Sequence, residues 1–113
     1  MKRDYRDYLT DILESIEKIE EFTKGFTPAR FAADEKTQLA VIKSLEIIGE
    51  AVKKIPTTLK KKHPDIPWRQ ISGMRDKLVH EYFGINIKVV WKTIVEDIPP
   101  LKPLMGKMLA NLK

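Results

Sequence analysis

An all-α antiparallel bundle is the fold predicted here, on three observations. Apolar residues recur at three- and four-residue spacing in the long segments, no stretch alternates with period two, and proline, glycine and capping residues fall where those segments end. At 113 residues the chain is long enough for one core and too short for two, so a single domain over residues 1–113 is expected. No internal repeat, low-complexity tract or linker interrupts it.

The first helix is read from Tyr8, Leu9, Ile12, Ile16, Ile19 and Phe22, whose spacing lines one face, with Lys24-Gly25 as its stop. Thr27-Pro28 pairs a cap with a first-turn proline and predicts a short helical turn through Ala33. Asp34 caps a long helix whose inward stripe is Leu39, Ile42, Leu45, Ile48, Val52 and Ile55, and Pro56 ends it. Gly49 within that helix suggests a close approach by another backbone. Thr57 to Asp65, with Lys60-Lys61-Lys62-His63-Pro64 inside it, reads as a solvated connector, with phosphate contact as the competing role for the lysines. His63 reads as an exposed bystander.

Pro67 in a first-turn position restarts helical structure, and Trp68, Ile71, Met74 and Leu78 give it an inward stripe. Asn86 caps a helix carrying Val90, Trp91, Ile94 and Val95. Pro99-Pro100 breaks that helix and opens a last one, with Leu101, Leu104, Met108 and Leu112 facing in.

Composition narrows the function. Apolar residues at 42% beside 33% charge describe a folded soluble chain, not a disordered one. Without cysteine there are no disulfides or thiolate metal sites, and with only two histidines no metal-ligand spacing emerges, so no metal and no cofactor are expected. No signal peptide or membrane-length apolar run is seen, which predicts a cytoplasmic protein with no membrane partner. A net charge of +5 favours a polyanionic partner.

The chemistry concentrates in Met74-Arg75-Asp76-Lys77-Leu78-Val79-His80-Glu81-Tyr82-Phe83-Gly84. Arg75 offers a permanent cation with a planar fork suited to phosphate oxygens. His80 can give and take a proton near neutrality. Together they could cleave a phosphodiester without a metal. On an unbroken helix Arg75 and Tyr82 share a face, whereas Arg75 and His80 lie roughly 140° apart. The two converge if the helix loosens, if Arg75 reaches round, or if a second subunit completes the site. Asp76, four before His80, is placed to orient its imidazole. Glu46 and Glu50, four apart on the long helix, either pair as surface carboxylates with Lys43, Lys53 or Lys54, or turn one carboxylate toward Arg75 and His80.

Arg75, four residues, His80, one residue and Tyr82 form an Arg-x4-His-x-Tyr motif that resembles the HepT-like toxins of the HEPN superfamily, also catalogued as the DUF86 family. The surroundings are similar too: Pro67-Trp68, Ile71 and Met74-Arg75-Asp76 upstream, Trp91 and Asp97-Ile98-Pro99 downstream, and Leu45-Glu46-Ile47-Ile48-Gly49-Glu50-Ala51 on the long helix. The likeness runs from Tyr5 to about Leu109.

That resemblance implies a HEPN-like helical homodimer with its Arg-His motifs at the shared interface. It implies a metal-independent ribonuclease of a type VII-like toxin–antitoxin pair, with RNA as substrate. Its expected partner is a minimal nucleotidyltransferase (MNT-type) antitoxin that silences the toxin by transferring AMP to the motif tyrosine, here Tyr82. Arg75 and His80 are then the catalytic pair, Asp76 with Glu46 or Glu50 the orienting groups, and Lys77, Lys60, Lys61 and Lys62 the RNA contacts. The competing class is a non-catalytic helical dimer that docks a nucleotidyltransferase.

Overall fold

The computed structural model describes residues 3–73 and 86–112. These residues form an all-α bundle, and no strand occurs among them. The sequence of elements is α1 (Tyr5–Thr23), α2 (Pro28–Ala32), α3 (Glu35–Lys54), α4 (Thr57–Lys61), α5 (helical over 68–73), α6 (Ile87–Lys92), a π-turn (Thr93–Asp97) and α7 (Leu101–Ala110).

Local chemistry sets most of the helix starts. Asp4 caps α1 by accepting the Arg6 amide at 2.8 Å, while Asp7 reaches back to the Asp4 amide at 3.1 Å, so two otherwise orphaned donors are satisfied. Thr27 Oγ1 accepts the Arg30 amide at 3.1 Å and Pro28 opens α2, as its fixed φ allows. Asp34 Oδ1 accepts the Thr37 amide at 3.0 Å, and its hydrogen bonds to Thr37 hold the Asp34 carboxyl below the usual carboxylate range. Asn86 accepts the Lys88 amide at 3.0 Å at the start of α6. Between α1 and α2 the chain turns through Gly25 at a φ of 75°, a left-handed conformation that suits a residue without Cβ.

The core is built on α1 against α3, with α7 on α1 and α2 bridging α3 and α6. Leu9, Ile12, Ile16 and Ile19 from α1 meet Val41, Ile42, Leu45, Ile48, Ala51 and Val52 from α3 in one buried cluster. Phe31 from α2 is fully buried, with its ring centroid 5.2 Å from that of Trp91. Ser44, the one polar side chain buried on α3, donates to the Ala40 carbonyl at 3.1 Å, so its hydroxyl is satisfied. Gly49 is buried on the same face.

Three expectations need correction. Leu39 is 49% exposed. Gln38 faces α2 and donates to the Phe31 and Ala32 carbonyls at 2.8 and 3.1 Å, which turns Leu39, one residue further round, outward. Phe22 is also exposed, lying in the last turn of α1, beyond the last buried position Ile19. Val95 is 50% exposed because the turn around it is wound i→i+5, with the Ile98 amide on the Thr93 carbonyl at 3.0 Å; Ile94 and Ile98 take the buried line instead. In α7 Leu101 and Met108 are buried and Leu104 and Leu112 pack half-buried against the core, as expected, and Met105 joins the buried line.

The stretch read as a connector is also more structured than expected. Thr57–Lys61 is a helix, α4, opened by Pro56. Past its end Ile66 is buried, and Trp68 Nε1 donates to the carbonyls of Lys60 at 3.2 Å and His63 at 3.0 Å. His63 is half-buried, and its carbonyl, not its ring, makes this contact.

Candidate active site

Arg75, Asp76, Lys77, His80 and Tyr82 lie outside the described residues, as do Met74 and Leu78. What is described is the framework on either side: α5, whose last described residue is Gly73, two before Arg75 in sequence, and Asn86, four after Tyr82.

The upstream side is the better pinned. Ile71 is buried, its amide bonded to the Pro67 carbonyl at 3.1 Å, while Arg69 and Gln70 are exposed. Pro64 and Pro67 each fix a φ in the segment between α4 and α5. Trp68 then closes that segment by clamping its indole N–H onto two carbonyls at the end of α4. The Lys60 ammonium lies 5.9 Å from the centre of the Trp68 ring, at the outer reach of a cation–π contact, and burial pushes its pKa down. Lys61 and Lys62 remain exposed. Adjacent lysines in one run are therefore in different environments.

On the downstream side Pro28, Ala32, Asn86, Ile87, Lys88 and Trp91 line an open cleft of about 440 Å³ between α2 and α6. Trp91, which lines the cleft, packs its ring against the buried Phe31 of α2.

Glu46 and Glu50 are brought together in a second open cleft of about 330 Å³, between the start of α1 and the C-terminal half of α3. Lys43 and Lys54 share its lining, at the i, i+3 and i, i+4 spacings that suit ion pairs along a helix. Two further residues there had no signal in the sequence. Arg3 precedes α1 and pairs with Asp11 at 2.7 Å, and its guanidinium stacks 4.9 Å from the centre of the Tyr8 ring. The contact joins residues eight apart across a helix start, which no periodicity registers. The cleft thus holds carboxylates and cations in balance, with charge enough to orient a polar group and no titratable imidazole of its own among the described residues.

Among the described residues no three His, Asp or Glu side chains are grouped to hold a metal, and no helix is long and apolar enough to cross a membrane.

An all-α bundle in which a pinned tryptophan leads into an Arg-x4-His-x-Tyr stretch defines a class, and family comparison agrees with it. The model described as Ribonuclease HepT-like matches residues 12–108, so the chain belongs to the HepT-like family. A protein of Thermococcus cleftensis named "Probable ribonuclease HepT" is 56% identical over 108 residues, covering 96% of this chain and 98% of the relative. Two further relatives carry RNase in their names. One, from Caldanaerobacter subterraneus, is 44% identical over 96% of each chain. The other, from Methanocaldococcus jannaschii, is 42% identical over 99% of this chain and 93% of its own length. No solved structure matches the chain.

Proposed function

We propose that this protein is a metal-independent endoribonuclease, the toxin of a type VII-like toxin–antitoxin pair, acting as one domain and as a homodimer whose active site is composed from both subunits. The observation that carries the reading is the position of the Arg75-x4-His80-x-Tyr82 motif inside the span shared with relatives named as ribonucleases.

In this mechanism the Arg75 fork binds the scissile phosphate and stabilises the charge that builds on it. His80 takes the proton from the adjacent ribose 2′-hydroxyl. The 2′ oxygen forms its bond to phosphorus as the bond from phosphorus to the 5′ oxygen breaks, and an imidazolium returns a proton to that leaving oxygen. The products are a 2′,3′-cyclic phosphate and a 5′-hydroxyl. Asp76 holds the imidazole tautomer, and Glu46 or Glu50 serves as a further orienting carboxylate. A composite site removes the difficulty that Arg75 and His80 would lie roughly 140° apart if the chain there were one straight helix.

Tyr82 is the control point. A nucleotidyltransferase partner would move AMP onto its phenol oxygen, placing a negative phosphate beside Arg75 where the RNA phosphate must sit.

The test is cleavage of RNA by the purified, unmodified protein in EDTA, with end-group analysis. Cleavage that persists in chelator and leaves 2′,3′-cyclic phosphates is the expected result. Cleavage that stops in EDTA and returns with a divalent ion would overturn the mechanism. An unmodified protein that leaves RNA intact would instead favour the non-catalytic docking subunit.

A further inference from the structure

The net charge of this chain has an uneven source. Residues 51–73 hold six cations (Lys53, Lys54, Lys60, Lys61, Lys62 and Arg69) against one carboxylate, Asp65, a surplus of +5 that equals the charge of the whole protein. The remaining residues carry fifteen cations and fifteen carboxylates. α1 is biased the other way, with Asp7, Asp11, Glu14, Glu17, Glu20 and Glu21 against Arg6 and Lys18. A polyanion therefore meets its attraction along one stretch and its repulsion along another.

The fold also gathers that stretch. The Trp68 indole is held on the Lys60 and His63 carbonyls, and Arg69 is the next residue along the chain. Lys61, Lys62 and Arg69 are all exposed there. Lys60 is not equivalent: its ammonium is turned toward the Trp68 ring and partly desolvated. Two prolines, the buried Ile66 and the double-bonded indole fix the segment from which these cations project. Cations on a fixed frame lose less freedom on binding than cations on a free loop. Four residues beyond Arg69, the chain reaches Gly73 and then the motif.

We infer that Lys61, Lys62 and Arg69, carried on the segment pinned by the Trp68 clamp, form a surface that binds the RNA phosphate backbone, with Lys60 serving the clamp and not the RNA. This rests on the ribonuclease reading for the identity of the polyanion, and it adds which cations hold that polyanion. Binding on this surface is blind to sequence, since it consists of cation–phosphate contacts without an exposed aromatic to stack on a base.

The experiment measures binding of a fluorescent single-stranded 2′-O-methyl oligoribonucleotide, which lacks the attacking hydroxyl and survives any cleavage activity. Three proteins are compared across a salt series: the parent, the triple variant Lys61→Gln, Lys62→Gln, Arg69→Gln, and a charge-matched control with Lys36→Gln, Lys92→Gln, Lys107→Gln. All six positions are exposed. For three lost phosphate contacts the slope of log K against log salt should become shallower by about 2. Affinity near 0.1 M salt should fall about 100-fold on the same relation. The control should stay within a few-fold of the parent, and Lys60→Met should bind as the parent does.

Equal losses in both triples would overturn the surface in favour of a general charge effect, and an unchanged first triple would overturn it outright. Polyglutamate that binds this surface more tightly than the oligoribonucleotide at equal charge would assign it to an acidic protein partner instead. The outcome is separable from that of the ribonuclease reading. A parent that binds through these cations but cuts no natural RNA leaves the surface standing and removes the enzyme; a parent that cuts, with binding indifferent to the first triple, does the reverse.

Discussion

Replacing His80 by Ala is expected to slow RNA cleavage by about 10²–10⁴-fold, the range typical of a lost proton-transfer group. The loss should fall on kcat, because in the proposed mechanism the imidazole acts while the 2′ oxygen is being deprotonated and the substrate is already bound. KM should change little. Arg75 should behave differently. In the proposed mechanism its fork meets the phosphate in the bound state as well as in the transition state, so Arg75→Ala should raise KM and lower kcat together. Arg75→Lys, which keeps the charge and loses the planar fork, should recover substrate binding better than turnover. Single-turnover cleavage of a labelled oligoribonucleotide measures all three. A His80→Ala protein that cleaves at the parent's rate would remove His80 from the mechanism.

Phe31→Ala is expected to destabilise the fold by about 3–5 kcal/mol, the usual cost of emptying a fully buried aromatic site. Phe31 has no exposed surface, and its loss also deprives Trp91 of its ring partner at 5.2 Å. Against a typical domain stability of about 5–15 kcal/mol, this is a large share. The melting temperature should drop by more than about 10 °C. Because Phe31 joins α2 to α6, the first loss should be of α6 packing, readable as a change in Trp91 fluorescence. A melting temperature within about 3 °C of the parent would mean that the site refills by collapse.

These two predictions draw on different parts of the sequence, and the parts differ in how legible they were. The helix starts at Thr27, Asp34 and Asn86 could be read because a cap is a contact between neighbours, and the structure places each side chain on the expected amide or the one beside it. The α1 and α3 stripes could be read because a long helix repeats its own period. Where the period is locally broken, reading failed. The π-turn rephases the residues around Val95, and nothing in the identity of Thr93-Ile94-Val95-Glu96-Asp97 announces the wider winding. α4 was missed because five residues carry too little pattern, and because its end is held by a tryptophan seven residues beyond it. Neither effect is local.

The site divides in the same way. Arg75, His80 and Tyr82 lie outside the described residues, and the chemistry proposed for them rests on side-chain type and motif spacing alone. Glu46 and Glu50 could be placed on one face by spacing, but not given Arg3, Tyr8 and Asp11 as neighbours, since those come from another element. Lys60, Lys61 and Lys62 look alike in sequence. Only the position of the Trp68 ring distinguishes the first from the other two.

The most direct test of the composite site is RNA cleavage, in EDTA, by a co-expressed mixture of Arg75→Ala and His80→Ala subunits. Neither variant should cleave alone. If each site takes its arginine from one subunit and its histidine from the other, a mixed dimer regains one intact site out of two. Random pairing would then restore about a quarter of the parent's rate. A mixture as inactive as its components, beside a parent that cleaves, would contradict the composite site and return Arg75 and His80 to a single chain.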